Sequence, residues 1–302
     1  MEHAALLDWL HGDVGALRRA YERLNARQLP PDAVWQKLGG VEVLTFPARE
    51  AGEAAIIHFH GGGFMAGSPV THADIAERLR RHTGLAVHSV AYRLAPEHPA
   101  PAPAEDGASA VCRLVETGVK RLFLCGDSAG GAIALATEQH LSEKMRRHVV
   151  CAASFYGAFG LLDTPSLRTL GSRADGTDHA CMERYYALAG GEAYRVESLA
   201  RPSSVPVYLV AADADPLRDD SLILAEAMTR QGRPVILERV ADALHGFLHG
   251  DETNRLAEAA MARFAAWLRK VLPAGSISSR TTSHSTAIPE INRFGHRASK
   301  EG

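Results

Sequence analysis

From residue 41 onward, short apolar runs alternate with stretches of helical period. The runs at 41–46, 54–60, 86–92, 121–125, 149–156, 205–212 and 235–240 are bounded by turn residues and predict strands. Apolar positions recur at helical spacing in 73–82, 105–117, 129–141, 219–231 and 254–271. The last is the clearest, with Leu256, Ala260, Phe264, Trp267, Leu268 and Val271 on one face. Continuous apolar strands alternating with helices predict an α/β chain with a mostly parallel sheet and helices on both faces.

Two departures from this rhythm divide the chain. Before residue 27 lie two short amphipathic helical patterns broken at Gly12, the second carrying Leu17, Tyr21 and Leu24, and Pro30-Pro31 ends them. Residues 1–40 therefore read as an N-terminal helical cap segment and 41–272 as the main domain. Within it, 159–202 breaks the alternation with Gly171, Gly176, Gly190, Gly191 and the pair Tyr185-Tyr186. That insertion is expected to form a helical cap over the functional edge of the sheet. Residues 273–302 are rich in Ser, Thr and Arg with little apolar period, and are expected to be disordered.

The 302 residues suit one large α/β domain, and 46% hydrophobic residues can supply its core. A formal net charge of -2 gives no basic face for nucleic acid, so the expected partner is a small, roughly neutral molecule. No run approaches the roughly 18 apolar residues of a membrane span. The acidic N-terminus does not resemble a signal peptide. The four cysteines form no CxxC pair and three sit in apolar runs, which suits free thiols in a reducing cytoplasm.

Chemistry concentrates in four places. Gly126-Asp127-Ser128-Ala129-Gly130-Gly131 links a predicted strand to a predicted helix, the setting of a nucleophile elbow. Alone, it reads equally well as a Gly-rich turn with Ser128 as helix N-cap. Gly61, Gly62 and Gly63 leave another strand in "HFHGGGF", where bare backbone N–H groups could form an oxyanion hole. His58 and His60 form an HxH, but no further ligands follow in zinc spacing, and no metal or cofactor is expected. A serine nucleophile needs a base and an orienting acid. His245 follows the final predicted strand and is the best base, with His249 its rival. Asp215 follows the strand ending near Ala212, with Asp213, Asp219 and Asp220 as rivals. Asp219 reads as a helix N-cap. His72, His98 and His179 read as surface or structural residues.

These motifs together resemble the hormone-sensitive-lipase-like group of α/β-hydrolases, the bacterial family IV carboxylesterases. The shared stretches are "HGGGF" (60–64), "YRLAPEHP" (92–99), "GDSAGG" (126–131), "DPLRD" (215–219) and "HGF" (245–247), in family order across roughly residues 40–272. The resemblance implies an α/β-hydrolase fold with a helical cap. It also implies Ser128 as nucleophile, His245 as general base and Asp215 as orienting acid. The implied oxyanion donors are the N–H groups of Gly62, Gly63 and Ala129. Two positions depart from the family pattern, Ala100 where Phe is frequent and Ala91 where Asp is frequent, and neither carries chemistry. A homodimer is an expectation by analogy with relatives that dimerise.

The expected activity is hydrolysis of short- to medium-chain acyl esters through an acyl-enzyme. Activity should fall as pH drops below the pKa of His245, near 6.5 if unperturbed. Phe64, Met65, Tyr185 and Tyr186 are expected to line the substrate pocket. Competing readings are an amidase or deacetylase of a specific small metabolite on the same residues, and a non-catalytic receptor on the same fold.

Overall fold

The computed structural model describes residues 13–48, 52–173 and 176–272. Its centre is an eight-stranded sheet in the order β1-β2-β4-β3-β5-β6-β7-β8. The strands are β1 Val34–Leu38, β2 Val41–Phe46, β3 Ala54–Phe59, β4 Ala86–Val90, β5 Arg121–Asp127, β6 Val149–Phe155, β7 Val207–Ala212 and β8 Val235–Val240. The β1–β2 and β2–β4 pairs are antiparallel, and the five pairs from β4–β3 through β7–β8 are parallel.

Alternation within each strand divides the core into two layers. Ile57, Phe59, Leu122 and Leu124 pack on one face with Ile133 and Leu135. Ile56, Phe123, Cys125 and Phe155 pack on the other with Phe264 and Trp267. All six residues of β3 are buried, as a central parallel strand covered on both sides requires. The helices α1 Val14–Asn25, α2 Ala73–Thr83, α3 Ala102–Glu116, α4 Ala129–His140 and α5 Glu143–Arg146 precede the insertion. Within it lie α6 Pro165–Leu170, α7 His179–Ala189, a 3-10 turn Gly191–Tyr194 and α8 Val196–Leu199. Then come α9 Arg218–Arg230 and α10 Arg255–Val271.

The expected N-terminal helical segment is only partly helical. The stretch before Gly12 and the tail 273–302 lie outside the described residues. Residues 34–38 form β1, the antiparallel edge of the sheet, so the sheet opens before the boundary placed at 41. Gly39 and Gly40 make its two-residue hairpin turn at φ 59° and 87°. Four of the five residues of β1 are exposed, which is why apolar period did not find it. The insertion is helical, and the four cysteines are free. No described helix is long and apolar enough to cross a membrane.

Candidate active site

The sharpest turn in the chain comes where β5 hands over to α4. Ser128 sits between them at φ 52° and ψ −124°, a conformation side chains rarely adopt. Neighbouring glycines make the turn feasible. A Cβ on Gly126 would lie 2.2 Å from the Gly130 carbonyl oxygen, and one on Gly130 would lie 2.0 Å from that of Phe59. Ser128 occupies the N-cap position of α4, yet its hydroxyl caps nothing there. It meets His245 instead, with Oγ 3.0 Å from Nε2.

His245 comes from the loop after β8, and its Nδ1 lies 2.9 Å from Oδ2 of Asp215. Asp215 is fully buried in the loop after β7, and its other oxygen accepts the Leu217 N–H at 2.8 Å. A carboxylate can only accept, so the His245 proton sits on Nδ1 and the Nε2 lone pair faces the serine hydroxyl. Burial pulls the His245 pKa down, but the Asp215 charge and hydrogen bond outweigh it and hold the imidazole above its ordinary value. The rivals are engaged elsewhere: Asp213 pairs with Arg239, and His249 with Asp74.

Beside Ser128 runs the glycine strip. Gly62 and Gly63 have φ of 116° and 61°, and the chain folds back through Ala66 N–H donating to the Gly62 carbonyl at 2.9 Å. No acceptor among the described residues takes the N–H of Gly62 or Gly63. Ala129 N–H opens α4, where the helix dipole favours an anion. The arrangement can draw a proton off a hydroxyl and hold a developing negative charge close by.

A family profile for the alpha/beta hydrolase fold matches residues 56–249. The chain belongs to that family. An acetyl esterase of Salmonella paratyphi A is 29% identical over 259 residues, covering 77% of this chain and 78% of the relative. A solved thermostable carboxylesterase from a metagenomic library is 27% identical with a TM-score of 0.74, covering 87% of this chain and 99% of that one. A solved esterase of the bacterial hormone-sensitive lipase family shares the fold at TM-score 0.77 and 24% identity, covering 89% and 97%.

In this hydrolase the serine opens into a cavity of about 190 Å³. Its walls come from Leu17 and Tyr21 of α1, the glycine strip, Tyr156, and Met182 and Tyr185 of α7. Of the four residues expected to line it, only Tyr185 does. Phe64 is buried and stacks on Tyr194 at 4.4 Å, Met65 is fully buried, and Tyr186 is turned toward Phe64. Leu17, Tyr21 and Tyr156 were missed as cavity residues. The Tyr156 ring packs edge-on against His245 at 5.2 Å.

One further residue differs from expectation. Asp219 is not an N-cap: α9 starts at Arg218, and the carboxylate accepts the Ser166 N–H at 2.9 Å, tying α9 to the insertion. His98 and His179 are exposed, whereas His72 is buried against the glycine strip. One nitrogen of each HxH histidine is committed, His58 Nδ1 to Ser89 and His60 Nδ1 to the Gly61 carbonyl. Among the described residues, the donor set able to take a cation is His72, Asp127 and His249, whose ligand atoms lie within 4.8 Å of one another. His72 Nε2 already accepts from Gly61 N–H, and His249 Nδ1 is engaged by Asp74. A larger open cavity of about 330 Å³ lies beyond Asp74, lined by Arg27, Glu77, Arg78 and Arg81. It contains no nucleophile, and its charges largely pair with one another.

Proposed function

We propose that this protein is a serine carboxylesterase for short- to medium-chain acyl esters, favouring the short end. Ser128 attacks the ester carbonyl while His245 Nε2 takes its proton. The N–H groups of Gly62, Gly63 and Ala129 stabilise the tetrahedral oxyanion. His245 then protonates the departing alcohol and afterwards activates water to release the acid. Asp215 holds the imidazole in the tautomer that each transfer needs.

The observation that carries this reading is the continuous hydrogen-bonded chain Asp215–His245–Ser128, at 2.9 and 3.0 Å, ending beside glycine N–H groups that have no acceptor among the described residues. The cavity of about 190 Å³ supports short acyl groups, and so does likeness to an enzyme named acetyl esterase. The chemistry needs only the chain's own residues.

A panel of p-nitrophenyl esters from acetate to decanoate tests the reading. Turnover should be highest for the two- to four-carbon acyl groups and fall steeply beyond about eight. Ser128→Ala should abolish turnover and labelling by a fluorophosphonate probe. Wild-type protein that neither turns over the panel nor takes the label sinks the esterase reading. A preference for decanoate sinks the chain-length reading alone.

A further inference from the structure

We propose that His72 is a positioning residue for the oxyanion strip. It would act by accepting the N–H of Gly61 on an imidazole lone pair whose place is set by Thr71. The role rests on the esterase reading above.

The tautomer follows from what each atom can do. Thr71 Oγ1 lies 2.9 Å from the Ser68 carbonyl, which can only accept, so the hydroxyl proton goes there. Thr71 Oγ1 therefore accepts from His72 Nδ1, 2.8 Å away. The His72 proton is thereby fixed on Nδ1, and Nε2 carries a lone pair. That lone pair meets the Gly61 N–H at 3.2 Å. The opposite end of the residue is held the same way, because His60 Nδ1 donates to the Gly61 carbonyl at 2.8 Å. Gly61 is thus gripped by two buried imidazoles, one accepting and one donating. The next two residues, Gly62 and Gly63, carry the N–H groups that would receive the oxyanion.

His72 can hold the strip only while neutral, although the charge of Asp127 favours a second proton on it. The buried Asp127 carboxylate lies 3.5 Å from His72 Nε2 and 3.4 Å from His58 Nε2. A second proton on His72 would sit on Nε2, turn toward Asp127 and leave the Gly61 N–H without an acceptor. Burial opposes that protonation by holding the His72 pKa below its ordinary value. There is no slack in the strip, because a Cβ on Gly61 would lie 2.7 Å from Asp127 Oδ2 and 3.2 Å from Ser128 Cβ. A small shift of Gly61 therefore moves the donors relative to the serine.

The test compares His72→Leu, which removes the acceptor, with His72→Gln, whose amide oxygen can take the Gly61 N–H. Losing one oxyanion donor outright costs roughly 100- to 1000-fold, and misplacing the strip should cost His72→Leu about 10- to 100-fold in kcat. KM for p-nitrophenyl acetate should stay within about threefold. Affinity for a trifluoromethyl ketone, which forms a tetrahedral adduct, should fall by the same factor as kcat. His72→Gln should recover most of both. Melting temperature checks folding, and if His72→Leu does not fold, Thr71→Val decides the matter through the same split between kcat and KM. Unchanged kcat, a loss confined to KM, or a Gln variant no better than Leu would overturn the role. Turnover surviving in Ser128→Ala overturns the esterase reading and this role with it. Ser128-dependent turnover indifferent to His72→Leu overturns this role alone.

Discussion

Asp215→Asn tests the logic of the site most directly, because it replaces one oxygen by an NH2 group and leaves the shape. In the wild type, one Asp215 oxygen accepts Leu217 N–H at 2.8 Å and the other accepts His245 Nδ1–H at 2.9 Å. Leu217 N–H can only donate, so the single oxygen of Asn must stay with it. The amide NH2 then faces His245 Nδ1, and two donors cannot bond. The imidazole proton must move to Nε2, where it points at Ser128 Oγ and blocks removal of the serine proton. The same tautomer error in a serine protease costs about 10⁴-fold in kcat, equivalent to ~5.4 kcal/mol at 1.36 kcal/mol per tenfold. We expect that loss here on p-nitrophenyl acetate, with KM within about threefold. The pH profile supplies a second readout. In the wild type Asp215 holds His245 above its ordinary pKa, so kcat/KM falls as pH drops through that raised value. Without the carboxylate, burial acts unopposed by it, and any residual activity should persist to lower pH. A loss below about tenfold, or an acid limb that does not move, would refute the tautomer argument.

Two further substitutions probe the scaffold. Gly130→Ala places a Cβ 2.0 Å from the Phe59 carbonyl oxygen and 2.6 Å from that of His60, forcing α4 away from β3. Overpacking of this kind costs roughly 1–3 kcal/mol or more, so the urea midpoint and activity should both fall, and a loss of unfolding free energy below about 0.5 kcal/mol would contradict the geometry. Burial, together with the nearby charge of Asp215, raises the Asp220 pKa to about 8, against the backbone N–H groups of Phe159 and Leu161. The folded state then keeps a proton that the unfolded chain releases near its ordinary 3.8, so this contribution to stability is lost as pH rises between those values. Asp220→Asn, neutral throughout and still able to accept the Phe159 N–H, should flatten melting temperature between pH 5 and 8; parallel curves for the two proteins would reject the assignment.

What was legible in the sequence was what is local or ordered along the chain. The elbow glycines are dictated by contacts within five residues and across one strand, so "GDSAGG" announces its turn. Asp215 and His245 could be found because parallel strands bring successive loops to one edge of the sheet. β1 was not legible from apolar period, since a mostly exposed edge strand has none, although Gly39-Gly40 between two strand-like runs was a usable hairpin signal. In α1, Leu17 and Tyr21 read correctly as one helical face. Nothing in a helical period says that the face looks onto a serine more than a hundred residues away.

The errors at the cavity share a physical cause, which is that nearness in sequence was taken for nearness in space. Phe64 follows Gly63, but both lie at positive φ, near 66° and 61°, and the chain turns back there. The Phe64 ring is carried away from the serine and onto Tyr194. Tyr185 and Tyr186 are adjacent on α7, and residues adjacent on a helix point about 100° apart. They could not both face one cavity. Tyr185 lies so close to the glycine strip that a Cβ on Gly63 would come within 2.4 Å of its ring, while Tyr186 faces Phe64. The helix α7 therefore presses one ring onto the oxyanion strip and buries the next in the cap. Substitution at Tyr185 should alter which ester is accepted, whereas substitution at Tyr186 should act first on the packing that holds the cap in place.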